Sequence, residues 1–337
     1  MFKYICKRLA YSLLILLGVS IIIYFLIRLM PVDYIQSKVD ALSSSGGTVD
    51  QKMVEAMYKQ YGLVDTTGMS FGEKMMSYLE GYWGWLSSML KGDLGVSFKY
   101  GLPVTDVIGQ YMWLSFVVAL IATVFEFMIA IPLGITAATH QYSIRDYVVT
   151  VLVMIGISLP SFFFGNILKN LFAMKLGWLP ASGFVSAGQT ITGFALLLDK
   201  LQYLVIPIMT LVILSIGGRM RMTRTNMLEV MNSDYIRTAR AKGLEENVVI
   251  NKHAFRNTLI PLVTSLAGLL PSLFSGAIIT EQVFDLPGIG NIALSAMNAG
   301  DIPFIMGYNM FLSVLSVLGV LLADLMYAVV DPRVKLK

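Results

Sequence analysis

The stretch DYIRTARAKGLEENVVINKHAFRN, residues 234–257, decides how the rest of the chain is read. It carries Arg237, Arg240, Lys242, Lys252, His253 and Arg256, while long runs of Leu, Val, Ile and Phe flank it on both sides. Two short helices fit it. Asp234 is a candidate N-cap, and Gly243 is a candidate stop where the chain turns left-handed. Glu245 and Glu246 then open a second helix that ends near Lys252, His253 and Arg256, an order suited to the two ends of a helix dipole. Ala239 and Ala241 keep the first helix thin, so that another protein can approach its backbone. A capped polar helix between apolar blocks points to a stiff lever that docks on something soluble. The competing reading is a merely basic loop.

Composition sets the surroundings. Of 337 residues, 56% are hydrophobic and 14% charged, against about 25% charged in an ordinary globular domain. The excess apolar surface has to face lipid. A single cysteine, Cys6, excludes an intramolecular disulfide framework and any multi-cysteine metal site.

A membrane-crossing helix needs about 20 mostly apolar residues. Six stretches qualify, over roughly 9–30, 111–138, 147–172, 201–219, 258–280 and 305–330. The first, LAYSLLILLGVSIIIYFLIRLM, follows Lys3, Lys7 and Arg8 and could be taken for a secretory signal. Its apolar region is too long for that and no small-residue cleavage site follows, so an uncleaved anchor is expected. With the N-terminus inside, 15 of the 25 Lys and Arg residues fall on the cytoplasmic side, eight of them from Arg219 to Arg256. The positive-inside rule therefore places both termini in the cytoplasm and the multi-pass chain in the cell membrane.

The outer segment after the first span, 31–110, is too long for a turn. VDQKMVEAMYKQYGL (49–63) and FGEKMMSYLEGYWGWLSSMLKG (71–92) both look helical. Tyr82, Trp83 and Trp85 suit a helix lying on the outer membrane face, and equally a small cap packed on the bundle.

Few side chains invite chemistry. The phosphate-cradling pattern G-x-x-x-x-G-K-[ST] is absent, so no ATPase is expected in this chain. His140 and His253 belong to no His/Cys/acid cluster, and no nucleophile–His–acid set can be assembled, so neither catalytic nor metal-binding residues are expected. Glu126 stands in the middle of the second span, where a carboxylate costs about 2.5–3.5 kcal/mol to insert. It either lines a translocation path, meeting a substrate amine or basic side chain, or is protonated and bonded to a neighbouring helix. Gly134, Gly156, Gly165, Gly268 and Gly276 would let helices cross closely.

DYIRTARAKGL followed by KHAFRNTLIPLV resembles the coupling-loop signature of binding-protein-dependent ABC importer permeases, in the dipeptide/oligopeptide (and nickel) branch. GDLGVSF (92–98), IPLGI (131–135), SLPSFFFG (158–165), LGWLPASG (176–183), EQVFDLPGIG (281–290) and DLMYAVVDPRVK (324–335) are similar to the B-type subunit of oligopeptide permeases. Pro31-Val32-Asp33-Tyr34 departs from that family's usual Pro-Gly-Asp-Pro, and WLSF (113–116) stands where Thr-Leu-Glu-Leu is frequent.

The resemblance implies an all-α membrane protein of six transmembrane helices, the type I ABC importer permease fold, with an extracytoplasmic helical loop. Its parts would be 1–30, a tail and first span; 31–110, the outer loop; 111–330, a five-helix core with the coupling loop at 220–257; and 331–337, a cytoplasmic tail. The ATPase-coupling residues would be Asp234, Tyr235, Arg237, Thr238, Ala239, Arg240, Ala241, Lys242, Gly243 and Leu244. The implied partners are a homologous second permease, two ATPase subunits that bind ATP and magnesium, an external substrate-binding protein and membrane lipid, with no nucleic acid. Cargo stays open among oligopeptides, dipeptides, nickel and haem-like ligands, with peptide favoured. A gradient-driven secondary transporter or channel, and a membrane scaffold, are the rival classes. A secondary transporter often shows inverted repeats, and none is visible here.

Overall fold

The computed structural model describes residues 2–28, 35, 39, 69–186, 192–265 and 268–330. The helices run α1 Phe2–Arg28, α2 Phe71–Leu90, α3 Val104–Thr139, α4 Ile144–Ser158, α5 Ser161–Lys169, α6 Gly193–Met231, α7 Asp234–Ala241, α8 Glu246–Val248, α9 Phe255–Ser265, α10 Leu269–Phe274, α11 Ile278–Val283, α12 Ile289–Ala299 and α13 Ile302–Val330. Two π-helical stretches follow α5 and α8, at Asn170–Lys175 and Val249–Ala254. Among the described residues, the only β pairing is an isolated bridge between Val96 and Pro103. The chain divides into two compact units, Phe2–Met112 with Ile292–Val317, and Trp113–Asn291 with Leu318–Lys337.

Among the described residues, four helical segments are long and apolar enough to cross a membrane alone: Lys7–Ile27, Val104–Thr139, Gly193–Met231 and Ile302–Met326. The expected span over 147–172 is not one rod, because it bends by 101° between α4 and α5. Leu159, which precedes Pro160, is extended (φ −91°, ψ 133°), as a pre-proline residue tends to be, and Pro160 caps α5. Counted as one broken span, the bent pair would bring the number to five. The stretch expected over 258–280 is divided between α9 and α10, and residues 266–267 between them lie outside the described residues. Among the described residues the count of six spans is not confirmed, whereas the all-helical membrane architecture stands.

In the first unit, α2 begins with a capping box. Ser70 N–H donates to Glu73 Oε2 at 2.9 Å, and Glu73 N–H donates to Ser70 Oγ at 3.4 Å. Tyr82 and Leu86 of α2 pack with Tyr24 and Ile27 of α1 and with Ile305 and Met306 of α13. The buried hydroxyls of Ser20 and Tyr82 meet at 2.9 Å. Tyr82 and Trp85 belong to a packed cap, whereas Trp83 is 64% exposed. The helix expected over 49–63 lies outside the described residues.

The second unit is organised by α6. Its 39 residues span about 58 Å at 1.5 Å per residue, roughly twice the hydrocarbon thickness. The expected span over 201–219 is thereby lengthened at both ends, and Arg219, counted above with the inner loop, lies inside the helix. Close crossing with α3 depends on Gly134, where a Cβ would stand 2.7 Å from Thr223 Cβ and 2.8 Å from the Met220 carbonyl. Gly156 is tight against the Ile213 carbonyl, at 3.0 Å, and Gly165 less so against the Phe284 ring, at 3.3 Å. At Gly276, with φ +71°, a Cβ would collide with the Gly290 nitrogen, whereas Gly268 has open space. One core gathers Val118, Leu168, Leu204, Ile206, Phe284 and Leu286, and another Ala138, Met227, Ile236, Ala239, Val249 and Ala254.

Candidate coupling site

The polar segment is braced by the second of those cores. Ser233, not Asp234, occupies the N-cap position, with extended φ −77° and ψ 153°. Its hydroxyl donates back to the Val230 carbonyl at 2.6 Å instead of capping forward. Asp234 is the first helical residue, so its carboxylate sits in the first turn, where the helix dipole favours a negative charge.

Ile236 and Ala239, three residues apart, point to the same side of α7 and pack on Ala138, Met227, Val249 and Ala254. Full burial of an isoleucine is worth about 1.5–3 kcal/mol, enough to fix an eight-residue helix that would not hold alone. Ala239 therefore does not thin the outward surface, as the sequence suggested. It is a contact inside the chain. Asp234, Tyr235, Arg237, Thr238, Arg240, Ala241, Lys242, Gly243 and Leu244 remain exposed.

Gly243 ends α7 with φ +75°, and its N–H donates to the Arg240 carbonyl at 2.9 Å. Nothing lies within 4 Å of a Cβ built there, so the glycine answers a backbone need and not a lack of room. Beyond the turn, Arg240 Nε and Nη2 donate to Glu246 Oε2 and Oε1 at 3.1 and 2.7 Å. Those bonds hold the Glu246 carboxyl below its ordinary range. The second helix does not end near Arg256. It passes from α8 through the π-helical stretch into α9, so the polar segment continues directly into apolar helix.

Glu126 meets a cation. Arg219 Nε of α6 donates to Glu126 Oε1 of α3 at 3.0 Å, and Arg219 Nη1 donates to Ser265 Oγ of α9 at 2.8 Å. The guanidinium also lies 4.4 Å from the centre of the Phe127 ring. The expected bond to a neighbouring helix is thus present, with Arg219 as its partner, and the contact links three helices.

Sequence reading passed over two buried acids. Glu281, 3% exposed, accepts from Ser115 Oγ at 2.6 Å and from the N–H groups of Ala277 and Asn291 at 3.1 and 2.8 Å. Ser115 Oγ in turn accepts the Ile289 N–H at 2.9 Å. In the first unit, fully buried Asp301 accepts from Ser97 Oγ and from the N–H groups of Phe98 and Lys99. The signal was present in EQVFDLPGIG and GDLGVSF, where loop amides cluster near an acid or its partner, but spacing alone does not pair Ser115 with Glu281, 166 positions on, or Ser97 with Asp301, 204 positions on. No group of three metal-ligating side chains occurs among the described residues.

Long apolar helices carrying a short, externally polar helix between two of them make up the fold of a type I ABC importer permease. The inward-facing MetNI methionine ABC transporter has a chain with this fold, at TM-score 0.50 and 17% identity, covering 67% of this chain and 97% of that one. The family model described as binding-protein-dependent transport system inner membrane component matches residues 130–336. The chain belongs to that family. It is 35% identical over 336 residues to the oligopeptide transport system permease protein AppB of Bacillus subtilis, covering 99% of this chain and all of that one. It is 31% identical to the dipeptide transport system permease protein DppB of Alkalihalophilus pseudofirmus, with 99% and 100% covered. It is thus a permease subunit of a binding-protein-dependent transport system, and a multi-pass membrane protein.

Proposed function

We propose that this chain imports oligopeptides or dipeptides as one of two homologous permeases, driven by two ATPase subunits that bind ATP and magnesium. An external binding protein would deliver cargo, and residues 234–244 would dock on the ATPase. One observation carries this reading: α7 is fastened from within by Ile236 and Ala239 while its polar face is left to water. A helix held that way transmits a push instead of absorbing it, and α6 and α9 lead the push into the membrane. Closure of the paired ATPases would then switch the cavity between inward- and outward-facing arrangements as a rigid-body change. The AppB and DppB names support peptide as cargo. The concentration of Lys and Arg between Arg219 and Arg256 supports cytoplasmic termini and a cytoplasmic α7. This chain would bind no cofactor, and Glu126, paired with Arg219, would face the translocation path from the bundle interior.

The test uses Ala241→Trp, a bulky change on the exposed face. It should leave membrane insertion intact, while co-purification of the ATPase and reconstituted peptide uptake both collapse. Full ATPase retention together with full uptake would remove 234–244 as the docking element.

A further inference from the structure

Away from α7, the cytoplasmic end of α4 borders a cavity of about 290 Å³. Its lining includes Tyr142, Asp146, Tyr147, Met154, Arg221 and Arg224. Asp146 is already satisfied, receiving Arg224 Nε at 3.0 Å, Arg224 Nη2 at 2.8 Å and the Tyr142 N–H at 3.1 Å. Arg221 is left over. Among the described residues it has no carboxylate partner, and its Nη2 lies 3.0 Å from the Met154 sulfur, a weak acceptor. An exposed, planar guanidinium with most donors unspent favours an oxyanion that can accept two parallel bonds, a carboxylate or a phosphate.

The cavity's rim shows where that anion comes from. Tyr142 and Tyr147 are 75% and 60% exposed, amphipathic rings of the kind that collect at headgroup level. From there α4 presents Val148, Val151, Leu152 and Ile155 outward, an apolar stripe suited to acyl chains. The lining charge is positive, two arginines against one aspartate.

We propose that this cavity binds the phosphodiester headgroup of an anionic phospholipid, with Arg221 as its phosphate ligand and the acyl chains lying along α4. Assignment to the inner leaflet rests on the topology proposed above, whereas the binding itself does not.

The experiment is native mass spectrometry of the purified full chain in neutral detergent, with phosphatidylglycerol and phosphatidylcholine of identical acyl chains in equal amounts. Wild-type protein should retain phosphatidylglycerol in preference by about five-fold, the factor expected from roughly one basic side chain at a charged lipid surface. Arg221→Gln, a change at an exposed position, should abolish the preference, and Arg221→Lys should keep part of it. Equal retention of the two lipids by wild type overturns the proposal, as does an unaltered preference in Arg221→Gln. A third arm adds inorganic phosphate. If phosphate raises the melting temperature of wild type but not of Arg221→Gln, while both lipids are held alike, the ligand is free phosphate and the lipid assignment fails. Micelles have no sidedness, so a wrong topology would move the leaflet without changing any of these outcomes.

Discussion

Arg240 reaches over the Gly243 turn and grips Glu246 with two nitrogens, at 3.1 and 2.7 Å. The pair closes a loop between α7 and α8, so the turn cannot open without parting a charged fork. Glu246 has its carboxyl held low by Arg240, so its stabilising contribution is complete above the ordinary glutamate range and fades as pH falls through the lowered value. Both side chains are substantially exposed, at 40% and 55%, so the effect is confined to roughly 0–1 kcal/mol. Amide exchange across α7 should therefore quicken modestly, after correction for intrinsic rates, as pH falls from about 7 to below the ordinary glutamate range of about 4, and in high salt. Glu246→Gln should abolish that pH dependence. An equal pH response in the variant would discard this role for the pair.

Gly243→Val should weaken ATPase association more than Gly243→Asn. Both replace a residue at φ +75°, where a β-carbon costs roughly 1–2 kcal/mol, and asparagine tolerates that region best. Since the site has room for a side chain, a steric explanation predicts the smaller Ala to be the mildest change, and co-purification across the Ala, Asn and Val variants separates the two.

Glu126 and Arg219 should behave as one unit. Glu126→Gln and Arg219→Gln each break a partly buried charged hydrogen bond, worth about 1.5–3 kcal/mol. The double variant should be less damaging than the sum, with a coupling of about 0.5–3 kcal/mol in micelle melting experiments. Strict additivity would mean that the pair shown at 3.0 Å contributes nothing as a pair.

Ser115→Ala takes a donor from Glu281 and strands the Ile289 N–H, a loss of about 1–3 kcal/mol. Gly288→Ala should be worse, because its Cβ would fall 2.6 Å from both Glu281 carboxylate oxygens. Thermal midpoints that rank these two variants in the opposite order would contradict the packing around Glu281.

Topology is tested with single cysteines in a Cys6-free background. Positions 143 and 245 should resist a membrane-impermeant reagent until the membrane is opened, whereas position 298 should react in intact cells. Labelling of 245 from outside would reverse the orientation inferred from Lys and Arg placement.

The apolar runs made the membrane class legible, and Gly243 marked the end of α7 because a left-handed stop has a residue signature. Asp234 misled by one position, since Ser233 and Asp234 are both good capping residues and only the backbone dihedrals separate them. Ala239 misled more seriously. Small residues permit approach from either side, and the face that was used depended on Met227 and Val249, which sequence spacing does not place. Glu126 was visible as a costly charge, but its partner Arg219 was hidden in what looked like loop. Glu281 and Asp301 were missed for a related reason, that their hydroxyl partners, Ser115 and Ser97, come from distant parts of the chain.

The uninterrupted run of α6 makes its length a matter of phase. Each added residue turns everything downstream by about 100°. Thr223 and Met220 against Gly134, Arg219 toward Glu126 and Arg224 toward Asp146 all lie on this helix. A one-residue insertion near Val212 would swing all three away from their partners at once and aim α7 elsewhere. A seven-residue insertion would come within about 20° of the original direction. Those seven residues would also carry every downstream side chain about 10 Å along the axis, so the contacts of this helix and the heading of α7 are inherited together with its length.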